Sequence, residues 1–84
     1  MSVFKSVTVC GFELAVAPSF GCVYAAADRD GAIYGYQNLP TPVREEGHWL
    51  DTLTGNRVQI LPANMVSLKR GEWLKTLSKV LDID

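Results

Sequence analysis

At 84 residues, with an apolar fraction of 48%, a charged fraction of 20% and a formal net charge of −1, the chain has the make-up of one small globular domain spanning residues 1–84. That balance argues against a disordered tail, and it supplies no long-range attraction for DNA, RNA or anionic lipid. No run of eighteen apolar residues is present to span a membrane, and Met-Ser-Val-Phe-Lys lacks the basic-then-apolar pattern of a secretory signal, so the expected location is the cytoplasm.

In chain order, Val3, Val7 and Val9 fall on one face of an alternating stretch, and Phe4, Ser6, Thr8 and Cys10 on the other, which predicts a strand. Cys10-Gly11 is read as a tight turn or bulge, after which Phe12, Leu14 and Val16 resume the alternation. Ala17-Pro18-Ser19-Phe20-Gly21 breaks the pattern. Cys22 to Tyr36 then places two short apolar and aromatic arms around Asp28-Arg29-Asp30-Gly31, the chemistry of a hairpin turn. Tyr24 lies on one arm, Tyr34 and Tyr36 on the other. The same residues partly match a calcium loop, with Asp28, Asp30 and Ile33 in register. Two ligand positions, however, fall on Ala26 and Gln37, and the flanks are strand-like where helices are needed, so the hairpin is preferred.

Residues 37 to 47 form the longest irregular stretch, stiffened by Pro40 and Pro42 and carrying Arg44, Glu45 and Glu46. It serves either as a solvated crossover or as a contact surface. Residues 48–51 and 57–60 predict a second hairpin around Gly55-Asn56, and residues 65–68 a last short extended piece. From Glu72 the apolar period changes: Trp73, Leu74, Leu77, Val80 and Leu81 recur at helical spacing. The expected fold is therefore α+β, an antiparallel meander sheet of five or six strands with one C-terminal helix packed on it. Lys69, Arg70, Lys75 and Lys79 make the last third locally basic, but Glu72, Asp82 and Asp84 offset them, too dilute a pattern for a nucleic-acid site.

Cys10, Cys22 and His48 are three soft ligands, one short of a closed zinc site, and without a C-x-x-C the cysteines read as small buried hydrophobes. A Cys–His nucleophile pair stays open, because spatial adjacency is invisible at this level. No nucleophile–base motif, phosphate loop or metal spacing is present, so no enzyme activity, cofactor or metal is expected.

Two resemblances attach to particular residues. Residues 27–36, which include the D-x-D-G turn Asp28, Asp30 and Gly31, followed by Pro40, Trp49 and the W-x-x-L segment Trp73, Leu74 and Leu77, resemble a pattern in small uncharacterised phage and prophage proteins. That resemblance implies an accessory or counter-defence factor that binds a host protein, and it transfers no catalytic residue. Trp49-Leu50-Asp51-Thr52-Leu53-Thr54-Gly55 more briefly resembles the turn of the small β-domains that end many amylase-type glycoside hydrolases, with Thr52 in place of a leucine.

The expected function is a non-enzymatic binding protein that inhibits or modulates a host protein. Its contact residues are expected to be Tyr36, Arg44, Glu45, Glu46, His48 and Trp49, since Trp, Tyr and Arg most often dominate contact energy. Whether Trp49 is a surface anchor or a core residue stays open. The alternatives are a β-rich homo-oligomer that sequesters a small molecule or nucleotide, and an accessory β-domain of the glycoside-hydrolase kind.

Overall fold

The computed structural model describes residues 4–16 and 21–83. Val3 and the break over residues 17–20 lie outside the described residues. Alternation in the first segment gives β1 (Phe4–Val9) and β2 (Phe12–Val16), paired antiparallel with Val9 opposite Phe12. The turn is Cys10-Gly11, both at positive φ (55° and 82°), as a two-residue hairpin that follows the strand twist requires. Val7, Val9 and Val16 are buried, whereas Phe12 is half exposed.

The central hairpin forms from β3 (Tyr24–Ala27) and β4 (Ile33–Tyr36), with Tyr24 opposite Tyr36 and Ala27 opposite Ile33. Asp28 N–H donates to the Ala32 carbonyl, Gly31 N–H to the Asp28 carbonyl, and Ala32 N–H to the Asp30 carboxylate. Gly31 sits at φ 89° with the Val66 backbone against it, so a side chain there would clash as well as strain. Calcium-loop geometry is not what this segment adopts.

Beyond Tyr36 the chain departs from expectation. The supposed irregular stretch contains β5 (Thr41–Val43), which pairs with β6 (His48–Leu50) across the turn Arg44 to Gly47. The expected second hairpin is therefore absent: β6 belongs to β5, and β7 (Val58–Leu61) joins the far edge of β4. Residues 65–68 form no strand.

The predicted C-terminal helix is overturned too. A single 3-10 turn covers Glu72–Lys75, followed by β8 (Ser78–Lys79) on β3 and β9 (Leu81–Ile83) on β1. The reason lies in β3. Ala25, Ala26 and Ala27 are fully buried, so the backbone groups along the outer edge of that strand must find partners. β8 pairs with Tyr24 and Ala25, and Val80 N–H donates to the Val23 carbonyl at 2.8 Å. Thr76 Oγ1 accepts the Ala27 N–H at 2.8 Å and donates to the Trp73 carbonyl at 2.7 Å, which closes the turn after four residues. A short isolated helix is marginal. An extended chain satisfies the buried edge, and a helix would not.

Three antiparallel sheets result among the described residues, in the orders β2-β1-β9, β7-β4-β3-β8 and β5-β6. This is a layered β structure in place of the expected α+β meander. Ala25, Ala27 and Ile33 face the first sheet and pack with Val7, Val9, Val16, Cys22 and Val80. Ala26 and Tyr36 face the opposite way and pack with Trp49 and Trp73. The central sheet is thus buried on both faces, which explains its unbroken apolar run. No helix among the described residues is long and apolar enough to cross a membrane.

Candidate functional site

The β5–β6 hairpin stands on the second core layer, and Trp49 fixes it there. Trp49 Nε1–H donates to the Ala27 carbonyl at 2.9 Å, and its backbone N–H donates to the Asp28 carboxylate at 3.2 Å. Its ring meets Trp73 edge-on at 85°, with centroids 6.0 Å apart. At the hairpin turn, Gly47 leaves room for the Arg29 side chain, whose atoms lie about 3.0 Å from where a Cβ would stand. Arg29 N–H donates to the Gly47 carbonyl, its guanidinium to the Arg44 carbonyl at 2.5 Å, and the guanidinium carbon lies 5.9 Å from the Trp73 ring centroid. Arg29 thus ties the central turn, the β5–β6 turn and the 3-10 turn together.

Arg29, Arg44, Arg70, Gly71, Trp73 and Leu74 line an open hollow of about 650 Å3. A smaller hollow of about 200 Å3 lies among Tyr36, His48, Trp49, Leu50, Asp51, Gly55 and Arg57. Near it, Arg57 sits 3.9 Å over the Tyr34 ring and reaches Asp28 at 3.7 Å. Burial raises the Asp28 carboxyl above its ordinary value, against the pull of the Trp49 N–H and Arg57. Burial, reinforced by the Asp28 charge, also pushes the Tyr36 hydroxyl up to about 12.

Asp51 binds the ends of this region together. Its carboxylate accepts the Asn38 side-chain amide at 3.0 Å, the Leu53 N–H at 2.9 Å and the Thr54 N–H and hydroxyl at 3.2 and 3.1 Å. Burial works against ionisation here, but these donors outweigh it and hold the carboxyl below its ordinary value. The tether leaves Leu39, Leu50 and Leu53 exposed along the same segment.

The six residues expected to make contacts divide into two groups. Tyr36 and Trp49 are buried, 0% and 4% exposed, so for Trp49 the core alternative holds. Arg44, Glu45 and Glu46 are exposed on the turn above them, and His48 is partly exposed. His48 faces acceptors with both ring nitrogens, the Trp49 carbonyl at 3.1 Å and Glu46 at 2.5 Å. Those partners, the carbonyl first, raise its pKa above 6.5. Sequence reasoning missed Arg29, hidden among turn residues, and Arg70, dismissed with a dilute basic stretch. Nothing in their spacing signals that they meet. Cys10 and Cys22 are thiols not joined to one another, with Cys22 buried and its Sγ–H directed to the Tyr24 carbonyl. Among the described residues no group of three or more His, Cys, Asp or Glu side chains is placed to hold a metal ion.

Comparison with protein-family models, with curated proteins and with solved structures gave no match.

Proposed function

We propose that the chain is a non-enzymatic binding protein of the cytoplasm that engages a protein partner through the β5–β6 turn. Arg44, Glu45, Glu46 and His48 form the polar part of the contact, and the exposed Leu39, Leu50 and Leu53 supply apolar area. One observation carries this reading: an exposed charged turn is held rigidly over two buried tryptophans by the Trp49 and Arg29 bonds. A surface locked in advance loses little entropy on association, which leaves more of the contact energy as affinity. The resemblance to small phage and prophage proteins directs the proposal to a host protein that is inhibited or modulated by the contact. A homo-oligomer that retains a small molecule is the competing reading, favoured by the hollow beside Tyr36, His48 and Arg57.

Native mass spectrometry of the tagged protein from cell lysate separates the two. The proposal expects a retained protein partner, lost in an Arg44→Ala, Glu45→Ala, Glu46→Ala variant that melts like the parent. Retention of the partner by that folded variant sinks the assignment. A self-assembled species carrying a small ligand favours the competitor.

A further inference from the structure

The hollow lined by Arg29, Arg44, Arg70, Trp73 and Leu74 adjoins a second one of about 630 Å3, lined by Lys69, Glu72 and Lys75, with Arg70 and Gly71 common to both. Five of the chain's eight lysine and arginine residues therefore line these two adjoining hollows, taken together as one basic groove, in a molecule whose net charge is −1. Among the described residues the ion pairs are His48 with Glu46 and Arg57 with Asp28, so none of the five cations is neutralised by a carboxylate in direct contact. The one acidic side chain in the groove, Glu72, accepts the Lys69 backbone N–H at 2.9 Å. Like charges are gathered here without a carboxylate in direct contact, and a complementary ligand is the ordinary way to offset that repulsion.

We infer that this groove binds an acidic peptide segment of a protein partner. The inference deepens the protein-binding reading above and rests on it. Arg29 supplies the organising group: pinned by the Arg44 carbonyl, Gly47 and the Trp73 ring, its planar fork is oriented before any ligand arrives. Such a fork matches a carboxylate in two parallel hydrogen bonds. Arg44 and Arg70 flank it, and Lys69 and Lys75 extend the positive track far enough for a ligand with several carboxylates. The occupant is argued to be peptide and not single-stranded nucleic acid. Trp73 is 3% exposed, covered by Arg29 and Trp49, so it offers no platform for stacking bases. Glu72 also interrupts the track at a point where a continuous phosphate chain would pass. An acidic peptide skips that position and lays its aliphatic stems on Leu74.

Fluorescence anisotropy with a labelled oligo-glutamate peptide at low salt tests this directly. The parent binds, and affinity falls as salt rises. Arg44→Gln with Arg70→Gln, both exposed positions, weakens binding about tenfold at an unchanged melting temperature. Glu72→Gln keeps an acceptor for the Lys69 N–H and tightens binding. Lys79→Gln, outside the groove, leaves it unchanged. No peptide binding by the parent overturns the inference, as does an equal loss in Lys79→Gln, which marks unspecific charge attraction. Tighter binding of a labelled oligothymidylate of matched charge overturns it in favour of nucleic acid. A cellular partner still retained by the Arg44→Gln, Arg70→Gln protein overturns the groove assignment alone and leaves the protein-binding reading standing.

Discussion

Trp49 makes its contacts at three levels at once: an indole bond to Ala27, a backbone bond to the Asp28 carboxylate and an edge-on packing contact with Trp73. Replacing it by alanine removes a buried ring, empties the layer between the hairpin and the central sheet and takes the indole bond from the Ala27 carbonyl, which keeps only the longer 3.3 Å contact with the Thr76 hydroxyl. Trp49→Ala should therefore cost about 3–5 kcal/mol in urea unfolding. A loss below ~1 kcal/mol would show that the hairpin does not depend on this anchor. His48 answers a different question at the same scale. Both of its ring nitrogens face groups that only accept, so the full set of bonds exists only in the imidazolium. The folded pKa lies above 6.5, and the stabilisation is fully present below that value and lost as pH rises through the raised folded pKa. Proton NMR titration should find the His48 midpoint above the ordinary value and moved down by Glu46→Gln. A midpoint unaffected by Glu46→Gln would remove the carboxylate from the account.

At the scale of elements, Cys22, Val58 and Ile60 pack over β4 at Gly35 because that position carries no side chain. A Cβ there would stand 2.5 Å from Cys22 Sγ and 3.2–3.3 Å from Val58 and Ile60 side-chain carbons, all within a packed layer. Gly35→Ala should destabilise by about 1–3 kcal/mol through overpacking, and Cys22→Ala in the same chain should recover part of it by removing the sulfur. Equal stability losses with and without the cysteine would assign the effect to backbone conformation instead. The turn of this hairpin was legible in the sequence because Asp28, Asp30 and Gly31 act locally. Strand partners beyond it were not. Residues 48–51 and 57–60 read as two arms of one hairpin by spacing alone, yet the strands that form there, β6 and β7, pair with β5 and β4 respectively. Pro42 concealed β5, since proline argues against a strand unless that strand lies at an edge, as this one does in a two-stranded sheet.

Across the whole molecule, two packed layers share the central sheet, and the last third of the chain contributes to both. Trp73 enters one layer and Val80 the other, while β8 closes the edge of β3 and β9 pairs with β1. Truncation after Leu68 removes these together. Trp73 and Val80 alone represent roughly 1.5–3 kcal/mol each, and the buried edge of β3 loses its partners as well. A domain with about 5–15 kcal/mol of total stability should then show no cooperative thermal transition by circular dichroism. A truncated chain that melts sharply near the parent's temperature would show that the sheets stand without this strap.

The sequence by itself determined what local chemistry controls: the alternation of β1 and β2, the Cys10-Gly11 turn and the central hairpin around Asp28 to Gly31. Each depends on φ preferences, short side-chain reach or period-two burial, all of which are written within a few residues. Only the tertiary structure decided the fate of residues 72–81. Their apolar spacing suits a helix, but the unpaired edge of a fully buried strand competes for the same backbone, and the stripe divides between two core layers. It also decided the groove, because Arg29, Arg44 and Arg70 come from three separate turns. Their convergence follows from Trp49 and Trp73 stacking those turns on one face of the central sheet, a long-range packing event that no local pattern encodes.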